Sequence, residues 1–383
     1  MNEIRQIFSI NETFTWLREQ LLCRLPDGSL FCAFFTGGGG DGAPDNIVAA
    51  TRSDDDGETW SDAEVIVSCP DESCWAPSMF VHKGKAHIFY YTSRDPHRYR
   101  KINHILSTGP DGRTFTEDRI IREDWITERG VDIRHGTHLR DGSCLLPIAW
   151  LEPIGDFDPD TWVPPEDTFA RYNNFGWGGI AENNIFCGGV LEPNDDFTSF
   201  TRYGRICRET PGAELPYQPL FEGAIAQLSG DKLAILMRGD LSNRLWRSDS
   251  TDGGRTWTEP YRTDIPNPGS KPLILNLPDG RIALFHNPNE KNYDDTSTEG
   301  IHKYRTPLEM WVSDDDMASW GIKKALSPAP GVAQYPNGFY DEDTDTIYMA
   351  WENDVTISFL KIPGIGSRNG QTGTKPRSLL EGD

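Results

Sequence analysis

The octapeptide SDDDGETW, Ser53 to Trp60, recurs along the chain, and its recurrence limits the fold more than any other feature. STDGGRTW, Ser250 to Trp257, has the same form, Ser-x-Asp-x-Gly-x-Thr-Trp. SDDDMASW, Ser313 to Trp320, keeps Ser313, Asp315, Ser319 and Trp320 but loses the glycine. GPDGRTF, Gly109 to Phe115, is a shortened copy, and NDDFTSF, Asn194 to Phe200, is a degraded one. Two intact and three weakened copies mark a repeat architecture. Each reads as a hairpin turn: the aspartate accepts bonds from nearby backbone N–H groups, the glycine takes a positive φ, and the tryptophan packs beneath. A calcium loop would need a twelve-residue ligand pattern ending in glutamate, which these octapeptides lack.

A second series of turns alternates with the first. LPDGSLFCAF turns at Asp27-Gly28, VHKGKAHIFYY at Lys83-Gly84 and LRDGSCLLPIAW at Asp141-Gly142. LSGDKLAILM turns at Gly230-Asp231, LPDGRIALFHN at Asp279-Gly280 and FYDEDTDTIYMAW near Asp343. Each lies between short apolar runs, the signature of a β-hairpin. Six units of roughly 60 residues, each with about four strands, predict an all-β fold: a six-bladed β-propeller of four-stranded antiparallel blades. The propeller is expected to fill residues 1–363 as a single domain. The last unit lacks a box turn, so the segment around Ile7 to Trp16 is expected to supply the missing strand and close the ring. The Pro- and Asp-rich stretch 151–175 interrupts the third unit and reads as a long surface loop. The polar tail, residues 364–383, is expected to be disordered.

Composition removes several function classes. With 37 basic and 59 acidic residues the net charge is −22, which opposes binding to nucleic acid or to an anionic membrane surface. No run approaches the roughly 20 apolar residues of a spanning helix. The start, MNEIRQIFSINETF, has no basic region followed by an apolar run, so no leader is read and a cytoplasmic location is expected. The seven cysteines lack metal-ligand spacing; Cys69 and Cys74 have no second pair, and all seven read as isolated reduced thiols. Neither a metal nor another cofactor is called for, and the expected partner is a small glycan.

These repeats resemble the bacterial-neuraminidase repeat, the Asp-box, of the sialidase superfamily, over roughly Trp16 to Glu352. In that family the boxes sit on the propeller face away from the active site. The resemblance implies three arginines from different blades that grip a sugar carboxylate, as the guanidinium fork matches its geometry. Arg18 in WLREQLLCRLPDG, Arg238 in FEGAIAQLSGDKLAILMRGD and Arg305 in YRTPLEMWVSDDD occupy those places. At the first, Glu19-Gln20 replace the family's Ile-Pro. The resemblance also implies a tyrosine nucleophile opening the last blade, Tyr335 in VAQYPNGFY, activated by Glu222. A neutral phenol suits an anionic substrate that would repel a carboxylate nucleophile, and a glutamate can take its proton. The family's acid/base aspartate has no aligned counterpart in FFTGGGGDGAPDNIV, where Thr36 or Gly37 falls at its place; Asp41 is the first candidate and Asp45 the second. Tyr335-Pro336, Asn287-Pro288 and Arg305-Thr306-Pro307-Leu308 resemble a divergent branch of sialidase-like proteins.

Further candidates for substrate contact are His135 and His138, which flank Gly136-Thr137, and His286 and Lys271 near strand ends. A histidine can act as a base or ligate a metal, but this pair has no carboxylate at metal spacing, which favours a hydrogen-bonding role. The resemblance implies a retaining exo-glycosidase that removes a terminal sialic acid or other sugar acid through a tyrosyl intermediate. Two alternatives use the same pocket: a lyase eliminating from a uronate, and a propeller that binds glycans without turnover.

Overall fold

The structure is a computed structural model. It describes residues 3–365 apart from 71, 96–98, 107–113, 116–118, 121–128, 156–183, 196, 210–216, 240–241, 291–303 and 329–330. Strand β1 (Arg5–Ser9) belongs to the last blade. Blade I holds β2 (Leu17–Arg24), β3 (Leu30–Thr36), β4 (Ile47–Ser53) and β5 (Glu64–Val67). Blade II holds β6 (Ser73–His82), β7 (Lys85–Asp95), β8 (Tyr99–Leu106) and β9 (Arg119–Ile120). Blade III runs β10 (Arg129–Ile133), β12 (Cys144–Pro153), β13 (Asn184–Pro193) and β14 (Phe200–Ile206), with the short β11 (Thr137–His138) also on β12. Blade IV holds β15 (Leu220–Gln227), β16 (Leu233–Gly239), β17 (Arg244–Ser250) and β18 (Tyr261–Pro266). Blade V holds β19 (Leu273–Asn276), β20 (Ile282–His286), β21 (Glu309–Ser313) and β22 (Ile322–Ala325). Blade VI holds β23 (Gln334–Asp341), β24 (Thr346–Glu352) and β25 (Thr356–Pro363), completed by β1. All named pairings are antiparallel, and the six-bladed propeller expected from the repeats is the observed fold.

Side chains alternate between the two faces of a strand, and in a blade both faces are buried. That is why β3 reads LFCAFFT with no polar alternation. Leu30, Cys32 and Phe34 pack toward blade VI, while Phe31 and Ala33 pack toward blade II. The same split recurs in β24: Ile347, Met349 and Trp351 face blade V, and Tyr348 and Ala350 face blade I. The core is therefore a ring of six apolar seams, one between each pair of neighbouring blades.

The box turns are built as their sequence dictates. Ser53 Oγ donates to Asp55 Oδ1 at 2.8 Å, the Thr59 amide donates to the same oxygen at 2.8 Å, and Thr59 Oγ1 donates to Oδ2 at 2.6 Å. Asp252 repeats this set with Ser250 and Thr256, and Asp315 with Ser313 and Ser319. The turn requires a left-handed residue, Gly57 at φ 86° and Gly254 at φ 87°; in the third copy Met317 takes φ 65° and buries its side chain in the seam between blades IV and V. In the Asn194–Phe200 copy the clamp shifts to Asn194, whose Oδ1 accepts from the Thr198 and Ser199 amides. Of the Gly109–Phe115 copy only Thr114 and Phe115 lie among the described residues, and Phe115 packs against Phe31.

The ring closes through β1, which pairs with β25 in the register Arg5–Phe359 to Ser9–Thr356. This confirms the expected closure, with the strand slightly upstream of the predicted segment. Ile7 and Phe8 fill the seam between blades VI and I. The expected insertion at 151–175 begins later, since Leu151–Pro153 continue β12, and 156–175 lie outside the described residues, as does the tail beyond 365. Deleting residues 1–9 is expected to cost roughly 3–6 kcal/mol from these two side chains alone. It would also leave the β25 edge unpaired, a template for aggregation. Thermal melting and light scattering of the truncated protein measure both.

Candidate active site

The turn series at Asp27-Gly28 and its equivalents and the box turns lie at opposite ends of strands from the first residue of β2, so Arg18 marks the other face. Inner strands start on that face with a shared irregularity. In β2, Glu19 and Gln20 stand opposite the single residue between Phe35 and Ala33. Glu222-Gly223 in β15, Tyr335-Pro336 in β23 and Ala76-Pro77 in β6 form the same two-for-one bulge. A bulge twists the strand and re-aims a side chain. Glu19, Glu222 and Tyr335 adopt φ of 52°, 53° and 52° there, a left-handed conformation that costs a bulky residue about 1–3 kcal/mol. All three side chains are nearly inaccessible, at 5%, 3% and 5% exposure. Lys271, just before β19, and Arg134, just after β10, reach the same centre from blades V and III.

The charged groups there form a continuous network. Arg134 Nη1 donates to both oxygens of Glu19 at 2.9 and 3.0 Å, and its Nη2 reaches Glu222 Oε1 at 3.3 Å. Arg238 Nη1 donates to Glu222 Oε2 at 2.9 Å, and Lys271 Nζ lies 3.9 Å from Glu19 Oε1. Tyr335 is surrounded by cations: Arg305 lies 4.9 Å from its ring centre, Lys271 5.1 Å and Arg18 5.8 Å. Arg305 is 1% exposed and donates to the neutral acceptors Gln334 Oε1, at 2.8 Å, and Gly269 O, at 2.9 Å. Arg18 leans on Trp16 and pairs with Asp354 Oδ1 at 2.7 Å and Asp41 Oδ2 at 3.8 Å. Five cations (Arg18, Arg134, Arg238, Lys271, Arg305) thus face two buried carboxylates (Glu19, Glu222), with Asp41 and Asp354 on the outer side of Arg18.

Ionisation follows from this arrangement. Burial resists charging Glu222, but Arg238, Arg134 and Lys271 overcome it and hold its pKa far down, to about 2. Burial raises the Tyr335 phenol, and Arg305, Arg238 and Arg18 offset part of that rise. Behind Arg18, Glu352 is fully buried and accepts from Gln334 Nε2 at 3.2 Å; burial pushes it up to about 8, which favours the uncharged acid.

Arg18, Arg238, Arg305, Glu222, Tyr335 and Lys271, all named from sequence, are brought together. Asp41 sits at the rim on the glycine loop, touching Arg18, and Asp45 is exposed on the same loop. That loop needs its glycines: a Cβ on Gly37 would lie 2.4 Å from Asp45 O. His135 lines a narrow cavity on the propeller axis below the charged layer, near Asn337, and burial lowers its pKa to about 4. His138 is not at the site: it is exposed on the hairpin side and stacks on His82 at 5.3 Å. His286 is buried in the seam between blades IV and V, edge-on to Trp311 at 4.5 Å, with Nδ1 3.2 Å from Pro266 O. Sequence reasoning missed Glu19 and Arg134. The signal for Glu19 was its match to Glu222, each opening the inner strand of a blade in LREQLL and FEGAI. Among the described residues no group of three or more His, Cys, Asp or Glu side chains gathers as a metal set, and no helix is long and apolar enough to cross a membrane.

The family model described as "BNR repeat-like domain" matches residues 28–161 and 213–349. No curated protein matches the chain. Among solved structures, a Hadza microbial sialidase is 14% identical with a TM-score of 0.66, over 91% of this chain and 66% of its own. A protein of unknown function from Dyadobacter fermentans is 15% identical with a TM-score of 0.65, over 94% and 98%. Trypanosoma rangeli sialidase in complex with the inhibitor DANA is 14% identical with a TM-score of 0.62, over 91% and 55%. The chain thus spans less than two thirds of the length of these two sialidases, and at such identities the likeness is one of fold.

Two stability measurements probe the network. Glu222→Gln leaves Arg134 and Arg238 buried without the carboxylate between them and is expected to cost about 3–5 kcal/mol in urea unfolding at pH 7. Because the Glu222 pKa is depressed, its contribution is present above the ordinary 4.5 and lost as pH falls toward 2, so variant and wild type converge in acid. Glu352 has the opposite sign. Its raised pKa makes the fold hold a proton that the unfolded chain releases, so stability drains away between 4.5 and about 8. Glu352→Gln, which mimics the uncharged acid, should therefore gain on wild type as pH rises through that window.

Proposed function

Because the chain belongs to the family of BNR repeat-like domains, we propose that its charged centre is the active site of a glycoside hydrolase that releases a terminal carboxylated sugar. The observation that carries this reading is the gathering of Arg18, Arg305 and Lys271 around the Tyr335 ring, with Arg238 and Glu222 alongside. Tyrosine nucleophiles are a known exception to the two-carboxylate scheme of glycoside hydrolysis.

The chemistry assigns each side chain a task. On binding, Arg18 and Arg305 exchange their bonds to Asp354, Gln334 and Gly269 for the sugar carboxylate, which a planar donor pair recognises in two-point fashion. Tyr335 attacks the anomeric carbon. Its phenol holds its proton at neutral pH, since burial raises its pKa, so the proton must leave as the bond forms. Glu222 is the acceptor, and the cations that surround the phenol stabilise the developing phenolate. Water then releases the sugar with net retention. Asp41, next to Arg18 at the rim, is the acid that protonates the leaving oxygen, with Asp45 as its alternate on the same loop. Sialic acid and uronic acids both carry the required carboxylate.

A second reading, a glycan-binding propeller without turnover, is favoured by one observation. Glu222 is clamped by Arg238 and Arg134 and held strongly acidic, which weakens it as a base. Release of 4-methylumbelliferone from α-sialoside and uronoside conjugates separates the two. The hydrolase reading expects turnover on one class, and a loss of at least about 100-fold in Tyr335→Phe with the folded state unchanged by circular dichroism. Turnover that survives Tyr335→Phe removes the tyrosine from the mechanism. Binding by calorimetry with no product from either class supports the non-catalytic reading.

A further inference from the structure

Two of the seven cysteines meet on blade III. Gly188 pairs with Ile206, the last residue of β14, so the antiparallel register carries Cys187 toward Cys207 just beyond it, and Cys207 packs against the apolar cluster that holds Cys187. The two thiols are within hydrogen-bonding reach. Directly opposed residues on antiparallel strands hold their Cβ atoms about 4.5–5.5 Å apart, and their Cα separation falls inside the roughly 4.4–6.8 Å that a disulfide spans. All seven thiols are free, as the sequence reading expects, but this pair is not isolated.

The two sulfurs differ in the way that peroxide chemistry needs. Cys187 is fully buried behind Cys207, which is half-buried. Arg205 Nη1 lies 3.0 Å from Cys207 Sγ. The guanidinium is held there by Glu152, through Nε at 3.0 Å and Nη2 at 2.7 Å. The Cys187 thiol donating to Cys207, with the Arg205 charge beside it, lowers the Cys207 pKa to about 7 against the opposing charges of Glu152 and Glu209. The same bond and burial push Cys187 up, and burial pushes Cys23 and Cys144 up to about 12. A partly accessible thiolate beside a cation, poised next to a resolving thiol, is the environment of peroxide-reactive cysteines.

We propose that Cys207 and Cys187 form an oxidation site for hydroperoxides, with Cys207 as the thiol that attacks the peroxide first and Cys187 as the resolving thiol. The Cys207 sulfur attacks the outer peroxide oxygen, the O–O bond breaks, and the alcohol or water leaves with one proton. The resulting sulfenic acid is attacked by the Cys187 sulfur. An S–S bond forms, the S–O bond breaks, and water leaves carrying the Cys187 proton. Two thiols are oxidised by two electrons, and the peroxide is reduced to alcohol and water. The site lies at the ends of β13 and β14 and uses none of the residues of the charged centre, so it stands apart from the hydrolase reading.

The test treats the whole protein with hydrogen peroxide, blocks remaining thiols with iodoacetamide and maps peptides by mass spectrometry. A Cys187–Cys207 disulfide, reversed by dithiothreitol, is expected in the wild type. Cys187→Ser should stop at a Cys207 sulfenic acid that dimedone captures, and Cys207→Ser should leave Cys187 reduced. The pH midpoint of Cys207 alkylation should lie near 7 and rise in Arg205→Gln, which leaves both sulfurs in place. A disulfide elsewhere, Cys207 reacting no faster than the other thiols, or Cys187 oxidising equally in Cys207→Ser overturns the proposal.

Discussion

Each blade is a slab with two apolar faces, and only a closed ring buries both. Every other property of the molecule depends on that requirement. An isolated blade would leave one seam on each side open to water, whereas the closed ring buries all six. The pairing of β1 with β25 is what allows closure, since blade VI has three strands of its own and borrows the fourth from the other end of the chain. The box turns work on the far face as local clamps. Their aspartates satisfy turn amides, and their tryptophans cap the seams, as Trp60 does on Phe359 and Trp320 on Trp311.

Closure also sets the electrostatics of the centre. The inner strands converge on the axis, and each brings the residue at its starting bulge with it. Charges contributed by blades I, III, IV and V therefore meet in a space sheltered from water, where their interactions are much stronger than at the surface. The result inverts the character of the protein as a whole. A chain with a net charge of −22 carries a positive centre, and such a contrast focuses the field on that face. Glu19 tempers it. In place of an apolar residue it puts a second carboxylate against Arg134 and Lys271, leaving Arg18 and Arg305 as the arginines beside Tyr335 that do not bond to the buried carboxylates.

The repeats made the blades legible because a hairpin is a local object. Asp27-Gly28 or Ser53–Trp60 specifies its own turn, and the alternation of two turn types counts the units. Tyr335, Glu222, Arg238 and Arg305 were legible for a related reason: each sits at a fixed distance from a turn that the sequence marks. His138 and His286 were misplaced because distance along the chain does not say which way a side chain leaves its strand. His138 projects on the hairpin side, and His286 is turned into the seam between blades IV and V against Trp311.

The number of blades, the strand that closes them and the places of Arg18, Glu222 and Tyr335 relative to their turns were thus legible in the sequence. These are written in turns and short apolar runs, whose physics is local. Tertiary structure alone decided that Arg134 bridges Glu19 and Glu222, that Gln334 links Arg305 to Glu352, and that Cys187 lies against Cys207. Glu19 and Arg134 are 115 residues apart in the chain, and nothing local to either names the other. They meet because ring closure places the starts of different blades around one axis, and burial there leaves each charge stable only beside its opposite.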